Sequence, residues 1–141
     1  QYKVENTVEG AVAAVSGLKQ EEIGQVVVLE KRFVPSKLPV SAEIDFRVKP
    51  EVHDSVDQID VKVSTPVAGV LMVANSYSLH WKACVDGKPK PVIPVNLAFQ
   101  GVFLAKGSHQ VSFKYQPSYS RPFTNFCESG SPKPPSQVAT N

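Results

Sequence analysis

The chain has 141 residues, room for one domain with a working core. An apolar fraction of 42% and a charged fraction of 20% are ordinary for a globular protein, and a net charge of +2, with lysines scattered among acids, leaves no basic footprint for DNA or RNA. No apolar run reaches about 18 residues, so no helix of it spans a bilayer, and the amino terminus carries no basic-then-apolar leader.

The sequence opens at Gln1 without a methionine, which reads as a mature product or an excised piece of a longer protein. Between Val4 and Ile23 the apolar residues Val8, Val12, Val15 and Leu18 recur at helical spacing. Asn6 or Thr7 serves as a cap, and Gly17 and Gly24 limit the length, so the spacing predicts a short helix whose stripe packs on the edge of the strands after it. A membrane-surface helix is the alternative, but its polar face would need more Lys and Arg than this segment has.

From Gln25 the period becomes that of strands. Val26 to Leu29 form a continuous run suited to a strand covered on both faces. Val40 to Val48 alternates, with Ile44, Phe46 and Val48 on one side, and Ile59 to Val63 repeats the pattern. Pro35, Pro39, Pro50 and Pro66 fall between these runs, where a missing amide donor breaks no ladder. The segment His53, Asp54 and Asp57 reads as a polar, solvated loop; it lacks the spacing of a metal site.

Further strands are expected at Gly69 to Asn75, His80 to Val85, Ala98 to Leu104 and His109 to Tyr115. Asp86-Gly87 between apolar runs signals a tight hairpin turn, because both central residues of a type I′ turn need positive φ. The same position makes Asp86 a turn residue before it is an acid, and His109, opening a strand after a glycine turn, is expected to cap its hairpin. About eight short strands with punctuating turns indicate an all-β fold, an antiparallel β-sandwich of jelly-roll-like or immunoglobulin-like type with a short N-terminal helix. The organisation read from this is a helical lead-in over 1–24, a sandwich over 25–117 and a tail over 118–141, where Ser, Pro, Lys and Gln leave little to bury. Cys84 and Cys127 are the two cysteines, and either one bridge or two thiols fits their placement.

The candidate ligand-binding residues are Tyr77, His80 and Trp81, an aromatic platform with a polar donor of the kind that holds a sugar face. The competing reading places Trp81 in the core, since it shares a face with the core-sized Ala83 and Val85. No Gly-x-Ser-x-Gly elbow is present and neither cysteine has a histidine partner in sequence, so no catalytic residue, metal ligand or cofactor is assigned.

Four stretches carry a resemblance when taken together: Val70-Leu71-Met72-Val73-Ala74-Asn75-Ser76-Tyr77; Trp81-Lys82-Ala83-Cys84-Val85-Asp86-Gly87-Lys88; Asn96-Leu97-Ala98-Phe99-Gln100-Gly101-Val102; and Lys106-Gly107-Ser108-His109 through Tyr115-Gln116-Pro117. In this order they resemble the extracytoplasmic carboxy-terminal domain of the YfhO family, bacterial multi-spanning membrane proteins related to the C-type glycosyltransferases. The helical lead-in followed by Val26 to Glu30 is similar to the segment leading into that domain. Two departures stand out. Leu79-His80 replaces a Pro-Gly before the tryptophan, and Ser118 to Asn141 is polar where the family continues into a membrane helix. The resemblance implies a non-catalytic extracytoplasmic accessory domain in the bacterial envelope. Its partner would be the membrane portion of the same or an associated protein, with glycan as a second candidate partner. The alternative is a free-standing secreted carbohydrate-binding or adhesion module, and an enzyme in its own right is the least favoured reading.

Overall fold

The structure is a computed structural model and describes residues 2–22, 26–36, 49–117 and 127. The strand expected at 40–48 and the tail expected at 118–141, Cys127 apart, lie outside the described residues. The chain begins with β1 (Tyr2–Glu5), α1 (Val8–Ser16), β2 (Val27–Glu30), β3 (Glu51–Asp54) and β4 (Gln58–Thr65). It continues with β5 (Gly69–Ser76), β6 (Trp81–Val85), β7 (Lys88–Lys90), β8 (Ile93–Val95), β9 (Phe99–Leu104) and β10 (Gly107–Tyr115).

Two antiparallel sheets build the sandwich. One has the order β3-β4-β10-β6-β7, the other β5-β9-β8. Alternation along β4 and β10 sends Ile59, Val61, Val63, Val111 and Phe113 to one face, where they meet Trp81, Ala83 and Val85 from β6 and Val102 and Leu104 from β9. Phe113 is fully buried at the centre, and hiding a side chain of that size stabilises by about 1.5–3 kcal/mol. The all-β, sandwich-type fold with a short helix is therefore what the alternation indicated.

The second sheet is apolar on both sides. Its outer face, with Val70, Met72, Ile93, Val95 and Phe103, packs against Tyr2 of β1, Val27 and Leu29 of β2, and Phe33 and Val34. Within this sheet, Gly101 of β9 leaves room for its neighbours β5 and β8. A β-carbon there would lie 2.8 Å from the Leu71 carbonyl oxygen and 2.9 Å from Val95 Cγ2, so a glycine is required by a close approach of neighbouring strands. Asn96 joins β2 to the end of β8: its Oδ1 accepts from the Val28 amide at 2.7 Å, and its own amide donates to the Val28 carbonyl at 3.0 Å.

Several local expectations are corrected. The lead-in starts with a strand, because Tyr2 to Glu5 pairs in parallel with β2 across the helical crossover. The helix itself starts at Val8 behind one of its two expected caps, Thr7, whose Oγ1 accepts from the Gly10 amide at 3.0 Å. The expected stripe turns inward only in part: Ala11 is the buried residue of α1 and Val15 and Leu18 are half-buried, while Val8 and Val12 are 48% and 46% exposed. A helix lying close on a two-stranded ribbon seats a small residue at the point of contact. His53 and Asp54 belong to edge strand β3 and not to a loop. Strand β8 contains Pro94, which the sheet tolerates at a site where no ladder donor is needed.

Candidate functional site

The aromatic candidates separate in three dimensions. Trp81 opens β6 and is 9% exposed within the inter-sheet core. Tyr115, at the end of β10, covers it edge-on with ring centroids 5.5 Å apart. His80 also meets Tyr115, at 5.8 Å. Tyr77 instead stands against Phe33, at 6.4 Å. Leu79, at 76% exposure, projects between these groups in sequence. What is brought together at this end is an edge-to-face His80–Tyr115–Trp81 cluster in which Tyr115 and His80 reach solvent and Trp81 does not, and Tyr77 is not part of it.

The polar groups converge elsewhere, on the outer face of the five-stranded sheet. Because β10 runs between β4 and β6, Gln110 lies opposite Lys62, Ser108 opposite Ser64, and Ser112 between Asp60 and Cys84. Lys62 reaches Glu51 across β3–β4 at 3.3 Å, an exposed pair that contributes well under about 1 kcal/mol. Asp60 accepts from Gln58 Nε2 and from the Ser112 hydroxyl, so both of its oxygens are engaged. Cys84 sits on this outward face yet is 6% exposed. Its sulfur is bonded to Cys127, so the chain beyond β10 returns to the middle of the sheet. Of the two arrangements that the spacing allowed, the bridge is the one present.

A cleft of about 770 Å³ lies beside Cys127, with Lys49, Glu51, Lys62, Ser64 and Ser108 on its walls and Asp86, His109 and Gln110 at its end. Asp86 and Gly87 have φ of 51° and 78°, the positive values the two-residue β6–β7 turn requires. That turn points Asp86 at β10. Its Oδ1 accepts from the Gln110 amide at 2.8 Å, and its Oδ2 lies 2.7 Å from His109 Nδ1. On the far side of the imidazole, Nε2 is 2.8 Å from the Ala105 carbonyl oxygen. Both partners of the ring are acceptors, so the protonated ring, donating from both nitrogens, satisfies the geometry. The hydrogen bond with Asp86 raises the His109 pKa above the ordinary imidazole value against the opposing effect of burial. The same bond holds the Asp86 carboxyl below its ordinary value.

Reading the sequence singled out Asp86 as a turn residue and His109 as a hairpin cap, and both roles are present. Their meeting was not foreseen, nor were Lys49, Glu51, Lys62, Ser64, Ser108 and Gln110. The available signal was the outward phase of β4 and β10, which becomes a site only once the register between these strands is known.

No helix among the described residues is long and apolar enough to cross a membrane. No curated protein and no solved structure matches the chain. A family model described as bacterial membrane protein YfhO matches residues 47–124, which include β3 to β10 and the whole five-stranded sheet. With more than half of its length matched, the chain belongs to the YfhO family of bacterial membrane proteins.

Proposed function

We propose that this chain is a non-catalytic extracytoplasmic accessory domain of a YfhO-type membrane protein, which stands against the membrane portion and holds glycan. The observation that carries the reading is the bond between Cys84 and Cys127. A structural disulfide forms and persists in an oxidising compartment and is rare in a bacterial cytoplasm, and the family is one of membrane proteins. A sandwich beyond the membrane, closed by one bridge, accounts for both.

The non-catalytic part rests on how the titratable groups are used. Both nitrogens of His109 are engaged in holding the β6–β7 turn to the Ala105 carbonyl, and protonation is favoured there. Such a ring clamps structure and is poorly placed to accept a proton from a substrate. The glycan part rests on the cleft, whose walls offer hydroxyls, ammonium groups and carboxylates within one concavity of suitable size.

The test is the state of the two cysteines in the full-length protein. Cells are quenched in acid, thiols are blocked before reduction, and the peptides carrying Cys84 and Cys127 are identified by mass. The expected result is one linked peptide pair. Two blocked thiols would contradict an oxidising location.

A further inference from the structure

We propose that the cleft beside Cys127 binds a saccharide bearing one negative charge, a carboxylate or a phosphate, and that Lys49 is its charge-recognising residue. This rests on the glycan-holding reading above and gives it a site and a ligand class. The lining charges are unequal. Lys62 is met by Glu51 at 3.3 Å and His109 by Asp86 at 2.7 Å, while Lys49 has no ion-pair partner among the described residues. With His109 protonated, as its two acceptors require, the lining holds three positive groups against two negative ones. One positive charge is left for a ligand.

The rest of the lining suits a sugar ring more than a bare anion. Ser64 and Ser108 stand opposite each other with their hydroxyl oxygens 3.1 Å apart. The single bond between them uses one proton, so the pair still presents a donor and several acceptor lone pairs. Gln110, exposed beside Lys62, adds an amide with both kinds of group. No Phe, Tyr or Trp ring lines the cleft among the described residues, and the His109 imidazole is held by its two acceptors, so recognition there is by charge and hydrogen bonds. That differs from the edge-to-face ring cluster at the Trp81 end. The disulfide supplies the wall: Cys127, tied to Cys84 in the central region of the sheet, turns an outward sheet face into a concavity.

The experiment titrates the full chain with three probes: a glucuronate oligosaccharide, a hexose 1-phosphate and the matching neutral oligosaccharide, each at low and raised salt. Binding is followed by calorimetry and by amide shifts at Ser64, Ser108 and Gln110. Lys49→Glu and Lys62→Ala, both exposed surface changes, are verified as folded by thermal melting. The expected result is binding of an acidic probe that weakens as salt rises, and a loss of at least about tenfold in Lys49→Glu, which reverses the charge that meets the ligand. The carboxylate and phosphate arms identify which acid is preferred. Glycan binding that is equal for the neutral probe, or untouched by Lys49→Glu, would overturn this inference and leave the glycan-holding reading in place. Absence of binding to all three probes at millimolar concentration would overturn both.

Discussion

Replacing Asp86 with asparagine separates the charge of the Asp86–His109 contact from the turn that carries it, because Asn-Gly serves a positive-φ turn as well as Asp-Gly. In the native protein the carboxylate takes bonds of 2.7 Å from His109 and 2.8 Å from the Gln110 amide. Hydrogen bonds to a charged group contribute about 1.5–3 kcal/mol each. Asp86 is 48% exposed, so solvent screening brings the loss in Asp86→Asn down to about 1 kcal/mol. The pH dependence has a definite sign. His109 is raised, so its contribution is complete below the ordinary imidazole value near pH ~6.5 and is lost as pH climbs through the raised folded value. Asp86 is lowered, so its contribution is complete above the ordinary carboxylate value near pH ~3.9 and is lost as pH falls through the depressed one. The contact is strongest between these two ranges. Urea unfolding of both proteins at pH 5.5 and pH 8.5, set on either side of the imidazole value near ~6.5, is the assay. The stability gap should be widest in the acidic condition and narrow in the alkaline one. A gap of the same size at both pH values would refute the protonated-ring geometry.

Three further substitutions or treatments probe the frame. Trp81→Ala removes a core ring and should cost about 3–5 kcal/mol in chemical unfolding; an unchanged midpoint would return the ring to the surface. Gln100 is fully buried on the inner face of β9, and neither polar atom of its side chain has a partner among the described residues. Gln100→Leu should therefore stabilise by about 1–2 kcal/mol, and a loss of stability would mean that the amide is satisfied after all. Opening the bond between Cys84 and Cys127, which are 43 residues apart, should destabilise by about 2–4 kcal/mol through loop entropy. Equal midpoints with and without reductant would remove the disulfide from the stability of the domain.

What the sequence made legible was local. The Asp86-Gly87 turn, the alternation of β4 and β10 and the doubly buried Val28-Leu29 pair all derive from dihedral preference or period, which neighbouring residues determine. What stayed hidden was long-range. Four residues at the amino terminus become a strand only because β2 lies alongside, some two dozen residues later. β3 is exposed along its whole length, so no apolar phase announced it. The α1 stripe was misread at its start, because the face that meets β1 and β2 carries Ala11, with Val15 and Leu18 half-buried, and leaves Val8 and Val12 outside. The cleft belongs to the same class of property. Ser64 meets Ser108, and Asp86 meets His109, through the antiparallel register of β10 with both β4 and β6, which no short window contains. Tyr77, His80 and Trp81 are close in sequence, but Tyr77 and His80 lie in the β5–β6 connection, which takes Tyr77 to Phe33 and His80 to Tyr115 while Trp81 enters the core.

The placement of the domain outside the cytoplasm is tested most directly by labelling the full-length protein in intact spheroplasts with a membrane-impermeant amine reagent. Exposed lysines of the domain, Lys49 and Lys62 among them, are the reporters, and a cytoplasmic protein is the control. Modification of these lysines without lysis, with the control untouched, is the expected result. Modification only after the membrane is permeabilised would place the domain inside the cell and contradict its role as an extracytoplasmic partner of the membrane portion.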